Sequence, residues 1–312
     1  MFDFIGKRKW FFILSILIMF AGIAGLLING IQLDIQFEGG TLMQIEMNDG
    51  DFETSRAEEV FYEAVNKTAT AQKLQTINAE DNQTIYLLQL RIASSETLTD
   101  EERTEAVDAL RKEFNIGFDA GIEMQSVEPF IGRELRNKGA IAALYASLLI
   151  ILYIWWRFRV MNLSAAITAV ISLFHDLMVM FTFYVIFKFP LNESFIAAIL
   201  TILGYSINGT IVIYDRIREN SKLLRKASTA ELVNTSINQT MGRTVNTAVT
   251  TLLCVLAVYI FAYYYNIQSI KEFILPLIIG IISGVYSSVF ISGPLWVLWK
   301  ERQQHKVVEK RA

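Results

Sequence analysis

The 312-residue chain has one cysteine, Cys254, and two histidines. A single thiol excludes any intrachain disulfide. The cysteine has no histidine near it and no GxSxG elbow exists, so no nucleophile–base pattern indicates an enzyme. His175 stands beside Asp176 without HExxH spacing or a second ligand pair, which gives no metal signature. No lysine follows a glycine-rich loop at the spacing a phosphate cradle needs. Neither a catalytic residue nor a cofactor is therefore expected. Charge of one sign is also scarce: the net value of −3 argues against nucleic acid as a partner.

What is present is apolar. Hydrophobic residues make up 53% of the chain and charged residues 19%, with a mean hydropathy of +0.37. That is too apolar for an ordinary soluble protein and too charged for membrane spans alone. A helix needs about 20 apolar residues to cross roughly 30 Å of hydrocarbon. Six runs qualify: Trp10–Ile28, Gly139–Trp156, Met161–Phe187, Phe195–Tyr214, Thr244–Tyr265 and Phe273–Trp299. The first follows Lys7–Lys9 like a secretion signal, but its apolar core is longer than a signal h-region and no A-x-A-like site follows, so it reads as a retained anchor. Basic residues in short segments set the orientation. Lys7–Lys9, Arg157 and Arg159, the loop Arg216–Arg243 and the tail after Trp299 share one side, which places both termini in the cytoplasm.

The segment 29–138 lies on the other side and holds most of the acidic residues. LMQIEM (Leu42–Met47) alternates as a strand, entered through Gly39 and Gly40. Ala57, Val60, Phe61, Ala64 and Val65 share a helical face. KLQTI and TIYLLQLRI read as strands joined by a turn at AEDNQ. Thr99 caps a second helix that carries Ala106, Val107, Leu110 and Phe114 on one face, and IEMQSV closes as a strand. The fold class expected is a membrane α-helical bundle of six transmembrane helices, with an extracytoplasmic α+β ferredoxin-like (β-α-β-β-α-β) domain between helices 1 and 2. Its parts are residues 1–28 (N-terminus and first span), 29–138 (outside domain), 139–299 (spans two to six) and 300–312 (basic tail).

Three places break the apolar pattern. His175 and Asp176 sit near the middle of the third span, where an aspartate costs about 2.5–3.5 kcal/mol on insertion scales. It must face the bundle, either as a structural hydrogen bond between helices or as an ion or proton relay. In the fourth span Tyr205 and Asn208 share a face, while Gly204 and Gly209 permit close helix approach and Ser206 and Thr210 can bond a neighbour. Small-residue packing and a polar pathway both fit. Arg243, where a polar segment enters the fifth span, either snorkels to membrane lipid or turns inward toward a carboxylate, where its permanent charge would tune a proton-binding group.

These residues give the chain a resemblance to the SecF family of bacterial protein-export membrane subunits, related to the resistance-nodulation-division transporters. The motifs are FxGGT (Phe37, Gly39, Gly40, Thr41), VxPxxGxEL (Val127, Pro129, Gly132, Glu134, Leu135), the HD pair, GYSIN followed by DRIREN (Gly204–Asn208, Asp215–Asn220), and SINQTxxRT (Ser236–Thr240, Arg243, Thr244). The resemblance implies a SecD-like partner subunit, the SecYEG channel, a translocating polypeptide as cargo, and use of the ion gradient in late stages of export at the bacterial inner membrane. It implies an ion-coupling polar seam of His175, Asp176, Tyr205, Asn208 and Arg243. One departure matters: the family's proton-carrying aspartate is replaced by Gly209, so a carboxylate must come from Asp176 or from the partner, unless the coupling ion differs or the subunit is structural. A second departure, Gln36 where aspartate is usual, concerns only the local turn. The competing readings are an independent transporter of lipid or hydrophobic small molecules, a non-transporting assembly subunit of the translocon and, most distantly, an intramembrane enzyme.

Overall fold

The computed structural model describes residues 1–77, 84–93, 98–117, 120–127, 129–158, 161, 163–265 and 267–309. The expected turn at AEDNQ and Arg159 lie outside them. After a long first helix, α1 (Arg8–Asn29), a four-residue turn of helix, α2 (Ile35–Glu38), leads into the sheet domain. Phe37 and Glu38 donate their amides to the Asp34 carbonyl at 2.8 and 3.1 Å. The next two residues take φ of +79° at Gly39 and +129° at Gly40, values that a side chain would strain. The glycine pair is therefore what lets the chain turn from α2 into β1 (Gly40–Met47).

The domain continues with α3 (Thr54–Val65), β2 (Ala69–Ile77), β3 (Thr84–Ala93), α4 (Asp100–Phe114) and β4 (Ile122–Val127). The sheet order is β2-β3-β1-β4 with antiparallel neighbours, as the split β-α-β pattern requires. Alternation along β1 buries Met43, Ile45 and Met47, and β3 contributes Leu88, Leu90 and Ile92. Ala57, Val60, Phe61 and Val65 of α3 and Ala106, Val107 and Leu110 of α4 close over them. Ala64 and Phe114, expected on the same faces, are half-buried at the margin.

Five further helical stretches complete the bundle: α5 (Pro129–Arg157), α6 (Leu163–Ile186), α7 (Glu193–Leu223), α8 (Thr229–Tyr264), and a last span made of α9 (Gln268–Ser287), a π segment (Ser288–Ser292) and α10 (Gly293–Glu309). With α1 they give six helices long and apolar enough to cross a membrane. Several outrun the apolar runs because polar caps and pairs carry them on. The Asn192 side chain accepts the Phe195 amide and starts α7; the Ser228 side chain accepts the Glu231 amide and starts α8. The DRIREN and SINQT motifs then clamp these two helices. Asn220 donates to Ser236 Oγ at 2.9 Å and to Gln239 Oε1 at 2.7 Å, and Asp215 pairs with Arg157 of α5 at 2.9 Å.

Lipid offers no hydrophobic gain from helix association, so close packing and interhelical hydrogen bonds hold the bundle. Tyr214, fully buried, shares a 2.8 Å hydrogen bond with Thr168, and Trp296 Nε1 donates to Ser164 Oγ at 3.1 Å. The N-terminus lies at one end, where Phe2 and Phe4 donate their amides to Asn238 and Asn234 of α8 and Arg8 pairs with Glu301. The sheet domain joins the opposite end. There Leu191 donates its amide to the Gln32 carbonyl at 2.8 Å, and Asp34 donates to the Leu191 carbonyl at 2.9 Å.

Candidate functional site

Residue Asp176 is completely buried, at 0% exposure, in the middle of α6. Three serine hydroxyls donate to its carboxylate: Ser206 of α7 to Oδ2 at 2.5 Å, Ser287 of α9 to Oδ2 at 2.8 Å, and Ser283 of α9 to Oδ1 at 2.6 Å. Such lengths belong to charge-assisted O–H···O⁻ bonds. His175 Nδ1 stands 3.4 Å from Oδ1, longer than a good N–H···O bond. The His175 ring stacks on Tyr286 with centroids 5.7 Å apart. Tyr286 in turn donates its hydroxyl to the Phe11 carbonyl of α1 at 2.7 Å.

The chain builds this cradle from small residues and broken helix. A Cβ on Gly284 would lie 3.1 Å from Ser206 Oγ, so glycine there lets α7 and α9 approach closely enough for Ser206 to reach the carboxylate. Pro276 inside α9 cannot donate to the carbonyl one turn earlier. Beyond the serine pair, the π segment inserts an extra residue into the turn, a feature frequent at functional sites. Ser287, one turn after Ser283, faces Asp176, while its neighbour Ser288 faces α7, where it meets Thr210 Oγ1 at 3.2 Å.

The other candidates fall in front of this core. Tyr205, Asn208 and Gly209 of α7 and Arg243 of α8 line a cleft of about 150 Å³, closed at the back by Ser206, Gly284 and Ser288. Asn208 and Arg243 are exposed and Tyr205 is half-buried. The six positions singled out by sequence thus form two groups, a buried one (His175, Asp176) and an open one (Tyr205, Asn208, Gly209, Arg243). Ser206 belongs to both, since it lines the cleft and donates to the carboxylate. Gly204 does not pack as its residue type suggests: among the described residues, nothing outside its own stretch of helix lies within 4 Å of where its Cβ would be. Gly280 and Gly284 perform that close approach instead, the former against Ile202. Ser283 and Ser287 escape a sequence reading because serine inside an apolar run usually bonds its own helix. Their i, i+4 spacing in the last span is the signal that places both on one face.

A six-helix bundle with an intramembrane carboxylate in its core and a ferredoxin-like insert after the first helix defines a multi-pass membrane protein of the transporter-like kind. Residues 109–302 match the family model described as protein export membrane protein SecD/SecF, C-terminal. The chain belongs to that family, on its SecF branch. It is 33% identical over 305 residues to the protein translocase subunit SecF of Alicyclobacillus acidocaldarius, covering 98% of this chain and 95% of that one. It is 32% identical over 249 residues to SecF of Magnetococcus marinus, covering 76% and 73%. Among solved structures, SecDF from Thermus thermophilus, described as a translocon-associated membrane protein, superposes with a TM-score of 0.79 at 32% identity. That match takes in 96% of this chain but only 39% of the SecDF chain. SecDF of Bacillus subtilis is 34% identical over 240 residues, which are 30% of its length.

Proposed function

We propose that this protein is an auxiliary subunit of the bacterial Sec translocase, working beside a SecD-type subunit and the SecYEG channel, and that it draws on the transmembrane ion gradient through Asp176. The observation that carries the ion-coupled reading is the cradle itself. A carboxylate at full burial accepts three hydroxyl hydrogen bonds from two other helices, and its one ion-pair neighbour among the described residues is His175 at 3.4 Å. A charge without a strong permanent counter-charge is costly in a bundle core, so a change in its occupation favours a different helix packing. SecDF relatives, in which one chain carries both parts, support the SecD-type partner. The open polar cleft at Asn208 and Arg243 faces away from the chain's own core, which suits a carboxylate supplied by that partner. Positive residues at Lys7–Lys9, Arg157 and Arg216–Arg243 support cytoplasmic termini and an external ferredoxin-like domain, which meets the partner or the emerging polypeptide.

The test is export kinetics in cells whose own copy is replaced by variants. Asp176→Asn should slow maturation of a secreted precursor to the rate of cells lacking the subunit, while the protein is still made and still recovered with its SecD-type partner. Normal export with Asp176→Asn and Arg243→Ala combined, in cells that still need the subunit for complex assembly, would support a purely structural role, which Gly209 favours.

A further inference from the structure

Resting on that ion-coupled reading, the inference concerns which ion the core binds. We propose that Asp176, Ser172, Ser206, Ser283 and Ser287 form a binding site for a dehydrated monovalent cation, with sodium the ion of matching size and charge. The donor set is entirely oxygen: one carboxylate and four hydroxyls. Carboxylates and other hard oxygen donors suit hard cations, whereas thiolate and imidazole select softer metals. No group of three or more histidine, cysteine, aspartate or glutamate residues exists among the described residues to hold a transition metal.

Charge decides between a monovalent and a divalent ion. Asp176 brings one negative charge, so sodium leaves the site neutral. A divalent ion would leave a net positive charge in a bundle core, where an uncompensated charge is costly. Lysine and arginine supply no ion pair to Asp176 among the described residues, so the structure has no built-in permanent neutraliser.

Independent support comes from Ser172. It lies one helical turn before Asp176 on the same face of α6, is completely buried, and its Oγ has no hydrogen-bond partner. A buried hydroxyl without a partner is destabilising. A cation held beside the carboxylate would give it a role. The other three hydroxyls now donate to Asp176, and each still has lone pairs to offer an ion. The site also lies close to solvent-facing space, because Ser206 and Gly284 form the back wall of the cleft lined by Arg243. That single layer separates the carboxylate from the cleft.

Equilibrium binding of radioactive sodium to the purified full-length protein in detergent tests this, with choline chloride holding ionic strength constant. Saturable binding with one ion per chain is expected, undisturbed by potassium at the same concentration and abolished in Asp176→Asn. Ser172→Ala is the sharper variant, because Ser172 makes no hydrogen bond that folding could lose. Without sodium its thermal unfolding should come at or above the parent's temperature, while its sodium affinity falls about tenfold, the typical worth of one strong polar contact. Absence of saturable binding, or binding that Asp176→Asn leaves intact, overturns the site. Proteoliposomes that take up protons through Asp176 yet bind no sodium also overturn it while leaving ion coupling standing. Sodium binding in a protein whose Asp176→Asn variant exports normally supports the site and removes the coupling role.

Discussion

At Gly209 a side chain would press on Ser288 at its first carbon. A Cβ there would stand 2.9 Å from Ser288 Oγ and 3.4 Å from its Cβ, so the glycine and the π segment that carries Ser288 fit each other. Reintroducing the family's usual acid as Gly209→Asp is expected to destabilise the bundle by about 1–3 kcal/mol through overpacking. Adding Ser288→Gly should recover much of that loss. A double-mutant cycle read by thermal unfolding in detergent checks both, and equal destabilisation with or without Ser288→Gly would contradict the steric account. Ser206→Ala removes a different thing, one of three donors to a buried carboxylate. It should cost about 1.5–3 kcal/mol, the range for hydrogen bonds to charged groups, measured by the same unfolding assay. Ser206→Thr should cost less, since the hydroxyl is retained.

Helix α4 shows what one short element owes to its first turn. The Thr99 hydroxyl accepts the Glu102 amide at 3.3 Å, and the Glu102 carboxylate accepts the Thr99 amide at 2.7 Å, a complete capping box. Lys67 adds two hydrogen bonds to Glu102 at 2.6 and 2.7 Å. The Lys67 ammonium, helped by the Thr99 amide, holds the Glu102 carboxyl below its ordinary pKa. A depressed carboxylate stabilises the fold above the ordinary carboxylate range and loses that contribution as pH falls through its folded value. Glu102→Gln should therefore flatten the acid limb of the domain's unfolding curve. Thr99→Ala should cost about 1 kcal/mol at neutral pH. Circular dichroism against pH and temperature reads both. This helix was legible in the sequence, as were the strand order and the six spans, because a cap, a period of two or a long apolar run is a local signal. The core of the candidate site was only half legible. An aspartate in a span is conspicuous on its own, but the serines that hold it are ordinary residues until the close approach at Gly284 brings α7 and α9 together beside it. Arg243 likewise gave no hint of its orientation, because an arginine at a span boundary suits lipid and cleft equally.

On the scale of the whole molecule, coverage is uneven. The windows of α6 and of the last span are half or more buried, whereas those of α5 and α8 contain almost no fully buried residue. The exposed side of α8 is not uniformly apolar, since Arg243 and Thr247 line the cleft there. The chain's single thiol, Cys254, continues that stripe two helical turns beyond Thr247 and is exposed. Its reaction with a membrane-permeant maleimide should be fast in the isolated subunit and suppressed when a SecD-type partner is co-assembled. Unchanged labelling would place the partner on another face. The junction between domain and bundle has a mechanical consequence. The tether after α1 is stitched by two backbone hydrogen bonds to Leu191, in the link between α6 and α7. The next residue, Asn192, starts α7 and donates to Glu272 at the head of α9 at 2.5 Å. Those three helices are the ones that bring Asp176, Ser206 and the Ser283–Ser287 pair together. Force on the ferredoxin-like domain therefore has a short load path into the carboxylate's cradle, and a tug on that domain is felt first by the helices that set its grip.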